Sequence, residues 1–292
     1  MDADPKLPAR GGGSRGTVNP DREDAGIGPR DHAVWVHPAG RALARVVTRT
    51  RTWVGANVAL TATLLVASVL VFAANAAAGE VYEMVEAGDG LALLDHPVLA
   101  AAKQLRTPAL DSAIAFFSNT GGPVLQPIVT GVVVVWLSWR WRSWTPLVLT
   151  TLAGGGALLM TVLGKRLSGR ARPDLVDSIP PYEYSASFPS GHALNASVIA
   201  GILCYLMLHR FRTHLVRSVW VVVFVVYALA MGLSRVYLGH HWLTDVIAAW
   251  LFALAWLGVV VTLHRLWLTA RAKHGDQRWT AMLKPSPPAS GP

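Results

Sequence analysis

A polar break at residues 234–245 reads SRVYLGHHWLTD and separates two long apolar runs. If the second run becomes helical near Trp242, His241 and Asp245 stand four residues apart on one helical face, where side chains meet. A carboxylate in that place accepts one ring N–H of the imidazole and leaves the other nitrogen free as a base, nucleophile or ligand. The same residues also suit an ordinary helix start at a membrane interface, so the pair needs support from the rest of the chain.

The composition is that of a membrane protein. Of the 292 residues, 52% are hydrophobic and 15% are charged, whereas a soluble domain carries about 25% charged residues. The net charge of +9 does not indicate nucleic-acid binding, because the basic residues lie between apolar runs and at the termini, without a nucleic-acid-binding motif. We therefore expect no nucleic-acid partner and expect the lipid bilayer as the environment of the protein.

Six apolar runs have about the length that crosses a bilayer. A hydrocarbon core of about 30 Å needs about 20 helical residues, and an open sheet cannot satisfy its backbone polar groups in lipid. The sequence therefore predicts an all-α integral membrane protein, a bundle of six transmembrane helices. The predicted spans are residues 53–78, 123–139, 146–164, 192–208, 215–233 and 243–263.

The regions outside the spans divide the chain. Residues 1–52 are rich in Gly, Pro, Arg and Asp and lack apolar periodicity, which predicts a disordered tail. Residues 53–265 form the predicted membrane domain, and residues 266–292 are predicted to be a second disordered tail. Between the first two spans, the helical periodicity of residues 110–117 predicts an interfacial helix, an early start of the second span, or a connecting helix packed on the bundle.

The distribution of Lys and Arg predicts the orientation of the bundle. With the N-terminus inside, the cytoplasmic segments hold 19 of the 26 Lys and Arg residues, so both termini of this multi-pass plasma-membrane protein are predicted to be cytoplasmic. Basic residues on the opposite side indicate an anionic ligand, because the positive-inside rule disfavours them there. Those at the outward polar breaks are Lys165, Arg166, Arg170, Arg172 and Arg235.

Three polar segments share the outward side of the predicted bundle: KRLSGRARP at 165–173, PSGH at 189–192, and the break at 234–245. In these segments the chain resembles the type 2 phosphatidic acid phosphatase superfamily, the membrane lipid phosphate phosphatases. The signatures of that family are K-x6-R-P, P-S-G-H and S-R-x5-H-x3-D. All eleven specified residues match, in the family's order, which makes the joint signal far more specific than any single motif. The resemblance covers residues 110–265.

The residue types in these segments suit a phosphate group. A phosphomonoester dianion resists nucleophilic attack, so its charge must be held by cations and aligned donors. Arg172 and Arg235 can each bind two phosphate oxygens through a planar guanidinium, and Lys165 offers a point charge. The hydroxyl of Ser190 and the backbone N–H of Gly191 would complete the phosphate site, because a helix N-terminus favours an anion.

The resemblance also implies a mechanism. His241 would attack phosphorus and form a covalent phosphohistidine, while Asp245 would orient the imidazole. His192 would protonate the leaving alkoxide and then deprotonate the water that hydrolyses the intermediate. No metal and no cofactor is implied, because the cations neutralise the phosphate charge. His240 precedes His241, but the spacing from Arg235 selects His241.

We therefore expect an integral-membrane lipid phosphate phosphatase with its active site on the outer face. Its substrate would be a lipid phosphomonoester or diphosphate, of the class of phosphatidic acid, phosphatidylglycerol phosphate or undecaprenyl diphosphate. The alternatives are phosphoryl transfer to an acceptor other than water, and a non-catalytic multipass carrier or binder of anionic lipid. Vanadium haloperoxidases have a similar site but are soluble proteins. A metal held by His192, His240, His241 and Asp245 is disfavoured by the surrounding cations.

Overall fold

The computed structural model describes the backbone of residues 55–282. Within that range the chain consists of helices and irregular segments, without a strand. The predicted tail at 1–52 lies outside the described residues. Eight α-helices follow one another in the described range: α1 Gly55–Ala87, α2 Asp95–Gln104, α3 Pro108–Asn119, α4 Leu125–Trp141, α5 Thr145–Ser168, α6 Gly191–Arg210, α7 His214–Tyr237 and α8 Leu243–Met282.

Five of these helices, α1, α5, α6, α7 and α8, are long and apolar enough to cross a bilayer. The predicted all-α membrane class is therefore confirmed. The predicted second span corresponds to α4, which is helical but has only 17 residues, fewer than the about 20 that a hydrocarbon core requires. The number of candidate spans in the described range is thus five and not the predicted six.

The last helix is longer than the sequence indicated. The apolar run ends near residue 263, but α8 continues to Met282, so the predicted disordered tail from residue 266 is not confirmed. The charged residues after the run end the apolar character of the segment, yet they are good helix formers and do not end the helix. The buried side chains of His264 and Leu268 also hold this part of α8 against the bundle.

Helix α6 lies at the centre of the bundle and packs against α5, α7 and α8. Ten of its 20 residues are buried, and seven of the ten join buried residues of α5 and α8 in the main hydrophobic core. The helices approach closely because small residues face large ones. A Cβ on Gly201 of α6, for example, would lie 2.2 Å from a methyl carbon of Leu257 on α8.

Helix α3 is a separate element that packs on the bundle. Thr107 caps its first turn, since its hydroxyl accepts a hydrogen bond from the Leu110 N–H at 3.3 Å. The helix ends at Asn119, and a turn separates it from α4. Phe117 contacts Tyr227 of α7 with ring centroids 5.9 Å apart. The segment at 110–117 is therefore a connecting helix and not an early start of the second span.

Candidate active site

The three motif segments meet at one end of the bundle, at the ends of four helices. Lys165 lies in the last turn of α5 and Arg235 in the last turn of α7. Gly191 and His192 begin α6, and Asp245 lies in the first turn of α8. The remaining members are Arg172 and Ser190 in the loop between α5 and α6, and His241 in the turn between α7 and α8.

The two ring nitrogens of His241 have different neighbours. Nδ1 is 3.3 Å from Oδ2 of Asp245, and Nε2 is 3.2 Å from Nη1 of Arg172. If the ring proton is on Nδ1, where it faces the carboxylate, Nε2 carries the free lone pair on the side of Arg172. The side chain of His241 is 1% exposed. The residue lies in the turn before α8, so the expected contact with Asp245 forms without His241 being part of the helix.

Asp245 is held by several donors besides His241. The N–H of Trp242 donates to Oδ2 at 3.0 Å, and the hydroxyl of Ser187 donates to the same oxygen. Nη1 of Arg170 donates to Oδ1. Because both carboxylate oxygens are fixed, Asp245 can hold the imidazole in one orientation.

Arg170 is bonded to carboxylates on both sides, which its sequence position did not reveal. While Nη1 contacts Asp245, Nη2 donates to Oδ2 of Asp95 at 2.7 Å. Asp95 begins α2 and is buried; its Oδ1 accepts the N–H of Thr244 at 2.9 Å, and its Oδ2 accepts the hydroxyl of Thr244 at 2.7 Å. In the sequence Arg170 was only one of several basic residues expected near an anionic ligand, outside the specified motif positions. In the structure it connects α2 to the carboxylate beside His241.

Lys165, Arg172 and Arg235 form what we call the cation cluster. Nη1 of Arg235 donates to the hydroxyl of Ser118 on α3 at 2.7 Å. Nε of Arg172 donates to the carbonyl of Ser185 at 2.7 Å, and the ammonium of Lys165 donates to the carbonyl of Ala186. These contacts hold the three side chains of the cation cluster in place.

A residue that the sequence did not single out, Glu183, bridges the two arginines of the cation cluster. Its Oε2 lies 2.8 Å from Nη2 of Arg172, and its Oε1 contacts Nη2 of Arg235. Burial alone would raise the pKa of Glu183, but Arg235 and Arg172 outweigh it and lower that pKa to about 2. The only sequence signal was an acidic residue in a loop next to outward-facing cations.

The start of α6 supplies the remaining predicted groups. His192 Nδ1 is 3.8 Å from Oε1 of Glu183. The hydroxyl oxygen of Ser190 is buried and has no hydrogen-bond partner among the described residues, as expected of a group that awaits a ligand. A Cβ on Gly191 would lie 2.9 Å from Cγ2 of Thr161, so glycine is required there for the close approach of α5 and α6.

The two adjacent histidines differ in environment. Burial, together with Arg172, Arg235 and Lys165, holds the pKa of His241 well below its ordinary value, so its imidazole is neutral. Burial also lowers the pKa of His240, to about 4, but Nε2 of His240 lies 2.6 Å from the carbonyl of Ile179. His240 thus anchors the loop between α5 and α6, whereas His241 faces Arg172.

A cavity of about 830 Å³ extends from the motif residues along α4, α5 and α6. Lys165, His192 and Arg235 line its polar end. The lining farther along the helices is mainly apolar and small, and includes Gly131, Val134, Leu147, Gly154, Leu158 and Ile199. The cavity can therefore hold a molecule with an anionic group at one end and an apolar body.

The spacing of potential metal ligands can be examined in the described part of the chain. No group of three or more His, Cys, Asp or Glu side chains is arranged there to hold a metal ion. Of the ligand types present, His241 and Asp245 contact each other, whereas His192 lies near Glu183 and His240 near the carbonyl of Ile179.

Comparisons with known proteins agree with the motif match. The model of the PAP2 superfamily matches residues 143–268, which contain all three segments. Phosphatidylglycerophosphatase B of Bacillus subtilis (strain 168) is 31% identical over 156 residues, which cover 52% of this chain and 74% of that protein.

Solved structures give a similar result. The transmembrane PAP2-type phosphatidylglycerolphosphate phosphatase from Bacillus subtilis superimposes with a TM-score of 0.56 at 22% identity, over 70% of this chain and 95% of that one. It has the same fold. The structure of Aquifex aeolicus LpxE gives a TM-score of 0.46 at 19% identity, over 59% of this chain and 95% of that one. From the family model and the 31% identical relative together, the chain belongs to the PAP2 superfamily and is a phosphatase.

Proposed function

We propose that this protein is an integral-membrane lipid phosphatase, which hydrolyses a lipid phosphomonoester or diphosphate through a phosphohistidine on His241. One observation carries the proposal: a neutral, oriented imidazole lies beside the cation cluster, and two members of that cluster, Lys165 and Arg235, line the polar end of a long apolar cavity. The cations suit the phosphate group, and the apolar lining suits the chains of a lipid. A soluble phosphate ester would use only the polar end.

The proposed reaction has two steps. First, Nε2 of His241 forms a bond to phosphorus as the ester P–O bond breaks, and His192 gives its proton to the departing alkoxide. Second, a water attacks the phosphorus, the N–P bond breaks, and His192 takes up the proton of the water. Asp245 stabilises the imidazolium character that develops on His241 in the first step.

The phosphate charge is balanced by the protein in both steps. Arg172 and Arg235 bind the equatorial oxygens, and Lys165 adds a third positive charge. The hydroxyl of Ser190 and the first N–H groups of α6 are the remaining donors. The unpartnered hydroxyl of Ser190 supports this role.

We also propose that α4 is a sixth span. Its 17 residues extend about 26 Å at 1.5 Å per residue, close to the thickness of a hydrocarbon core. Trp136, Trp139 and Trp144 are exposed near its end, in the manner of an interfacial aromatic belt. Helix α4 forms one wall of the cavity together with α5, so a lipid inside it would contact both.

The proposed orientation has both termini in the cytoplasm and the active site outside, in agreement with the distribution of basic residues. A labelling experiment in intact cells tests it. In a Cys204→Ser background, Tyr184→Cys in the loop beside the site should react with an impermeant thiol reagent, and Trp144→Cys at the opposite end should not. Both side chains are well exposed, at 82% and 75%. The reverse labelling pattern would overturn the orientation.

Release of inorganic phosphate tests the proposed function. We would give the purified protein, in detergent with excess chelator, a panel of phosphatidylglycerol phosphate, phosphatidic acid, undecaprenyl diphosphate and a soluble phosphate ester. Phosphatidylglycerol phosphate comes first, since the 31% identical relative is named for it. Release should be abolished in His241→Ala and preserved in His214→Ala, a histidine substitution at the far end of α7.

The phosphohistidine is tested separately. Hydrolysis of the intermediate needs His192, but a p-nitrophenolate leaving group departs without a proton. His192→Ala should therefore accumulate an acid-labile phosphoenzyme from p-nitrophenyl phosphate, and the double variant with His241→Ala should not. Release without any trapped intermediate would argue for direct attack by water. No release from any lipid by the folded protein would favour another phosphoryl acceptor or a lipid-binding role.

A further inference from the structure

Glu183 occupies the position that a phosphate group would take on the cation cluster. Each carboxylate oxygen of Glu183 meets the outer nitrogen of a different guanidinium, Oε2 that of Arg172 and Oε1 that of Arg235. Oε1 also lies 3.8 Å from His192. A phosphate bound by the two arginines needs these same nitrogens. Glu183 and the substrate phosphate therefore cannot both use them.

The segment that carries Glu183 makes few main-chain contacts of its own. Before it, the N–H of Ile179 donates to the carbonyl of Leu238, and after it the N–H of Ser187 donates to the carbonyl of Arg170. Among the described residues, no main-chain to main-chain hydrogen bond holds residues 180–185, and every residue of this segment except Glu183 is exposed. This segment also contacts the cation cluster through Ser185, whose carbonyl and hydroxyl accept hydrogen bonds from Arg172. Removal of the Glu183 carboxylate from the arginines thus requires no main-chain to main-chain hydrogen bond to break.

We propose that Glu183 determines which phosphate groups enter the site: it is an internal anion that the phosphate of the substrate must displace from Arg172 and Arg235. This inference rests on the proposed function. A phosphomonoester carries about −1.5 to −2 charges at neutral pH, more than the single charge of the carboxylate. The phosphodiester of an ordinary phospholipid carries only one charge, so it has no electrostatic advantage over Glu183.

The tether adds to this discrimination. A group attached to the same chain competes at an effective concentration of millimolar or above, without the entropy loss that an entering head group incurs. Bulk phospholipids greatly outnumber a phosphorylated lipid in a membrane, so exclusion of their phosphodiesters keeps the site available. Arg235 and Arg172 lower the pKa of Glu183 to about 2, so the carboxylate that contacts them is charged at neutral pH.

The test is Glu183→Gln, which keeps the size of the side chain and removes its charge. With the preferred lipid as substrate in mixed micelles, we would measure kcat, KM, and the inhibition constant of phosphatidylglycerol, a phosphodiester. We expect the inhibition constant to fall about tenfold, the order of one charge-assisted contact, and KM to fall by a similar factor, because both ligands displace the same carboxylate. Tyr184→Phe, a change at the exposed neighbouring residue, is the matched control and should leave both constants as in the wild type.

An unchanged inhibition constant in Glu183→Gln would overturn the inference. So would a fall in kcat with KM and the inhibition constant unchanged, because Glu183 would then act through His192. A second measurement does not depend on lipid turnover: inorganic phosphate should protect Glu183→Gln against thermal unfolding at about tenfold lower concentration than the wild type. Failure of lipid hydrolysis in the wild type would refute the proposed function, whereas equal phosphate protection in both proteins would refute the role of Glu183.

Discussion

Gly239 is the position at which a single methyl group should most disturb the active site. It lies two residues before His241, in the turn between α7 and α8, with a φ of +72°. A Cβ at this position would lie 2.2 Å from the carbonyl oxygen of Asp177 and 2.9 Å from its carbonyl carbon. These are backbone atoms of the loop between α5 and α6, so no side-chain rotation can relieve the overlap.

The magnitude of the effect of Gly239→Ala has two parts. The left-handed conformation costs an alanine about 1–2 kcal/mol of stability. In addition, ordinary contact begins at 3.4 Å, so the turn and the loop must separate by about 1 Å. Displacement of a catalytic group by about 1 Å lowers the rate about 100-fold. We therefore expect kcat to fall about 100-fold, because the turn carries His241 and the loop carries Arg172.

Gly169→Ala is the matched control, because Gly169 also has a positive φ, +56°, but no atom lies within 4 Å of a Cβ built there. It should lose the same stability from backbone strain and keep a kcat near that of the wild type. The assays are phosphate release in detergent and thermal unfolding of both variants. A Gly239→Ala protein with normal kcat would refute the assignment of the turn as the rigid support of the nucleophile.

Two further predictions concern the partners of the nucleophile. Arg170→Lys keeps the positive charge but lacks the planar guanidinium that contacts Asp95 and Asp245 together. We expect kcat to fall about tenfold with KM unchanged. An unaltered kcat would show that Arg170 is not needed to position Asp245. Because burial and neighbouring cations hold the pKa of His241 well below its ordinary value, the imidazole stays neutral as the pH falls through about 6.5. After correction for ionisation of the substrate phosphate, kcat/KM should begin to fall only at a pH well below 6.5. A fall in kcat/KM centred at pH 6.5 would contradict the buried environment of the nucleophile.

Hydropathy predicted the helices better than it predicted their ends. The starts of α6 and α8 lie within one residue of the predicted positions 192 and 243, because polar, glycine-containing segments precede both runs. The ends of α5 and α7 nearest the active site extend four residues beyond the predicted 164 and 233. Hydropathy locates the edge of the hydrocarbon layer, whereas helices continue into the interface. Those extensions carry Lys165 and Arg235.

The motifs predicted a set of residues that the fold does bring together, but not the residues that support them. Glu183 lies 52 residues from Arg235, and Asp95 lies 149 residues from Thr244. Ser118 is likewise distant from its partner Arg235. Contacts between residues so far apart in the chain leave no periodic or regularly spaced pattern in the sequence, because they depend on how the helices pack. Asp95 and Ser118 also lie outside the range matched by the family model.

The cavity between α4, α5 and α6 determines how the protein meets its substrate. Its lining runs from buried Thr150 and Val134 to Leu158, which is 58% exposed on α5, so the cavity reaches the surface of an apolar helix. A lipid that enters through this opening diffuses in two dimensions and never passes through water. The encounter rate then follows the mole fraction of substrate in the membrane, so inert lipid should slow turnover by surface dilution even at constant bulk concentration. A Michaelis constant for this protein is accordingly a surface density.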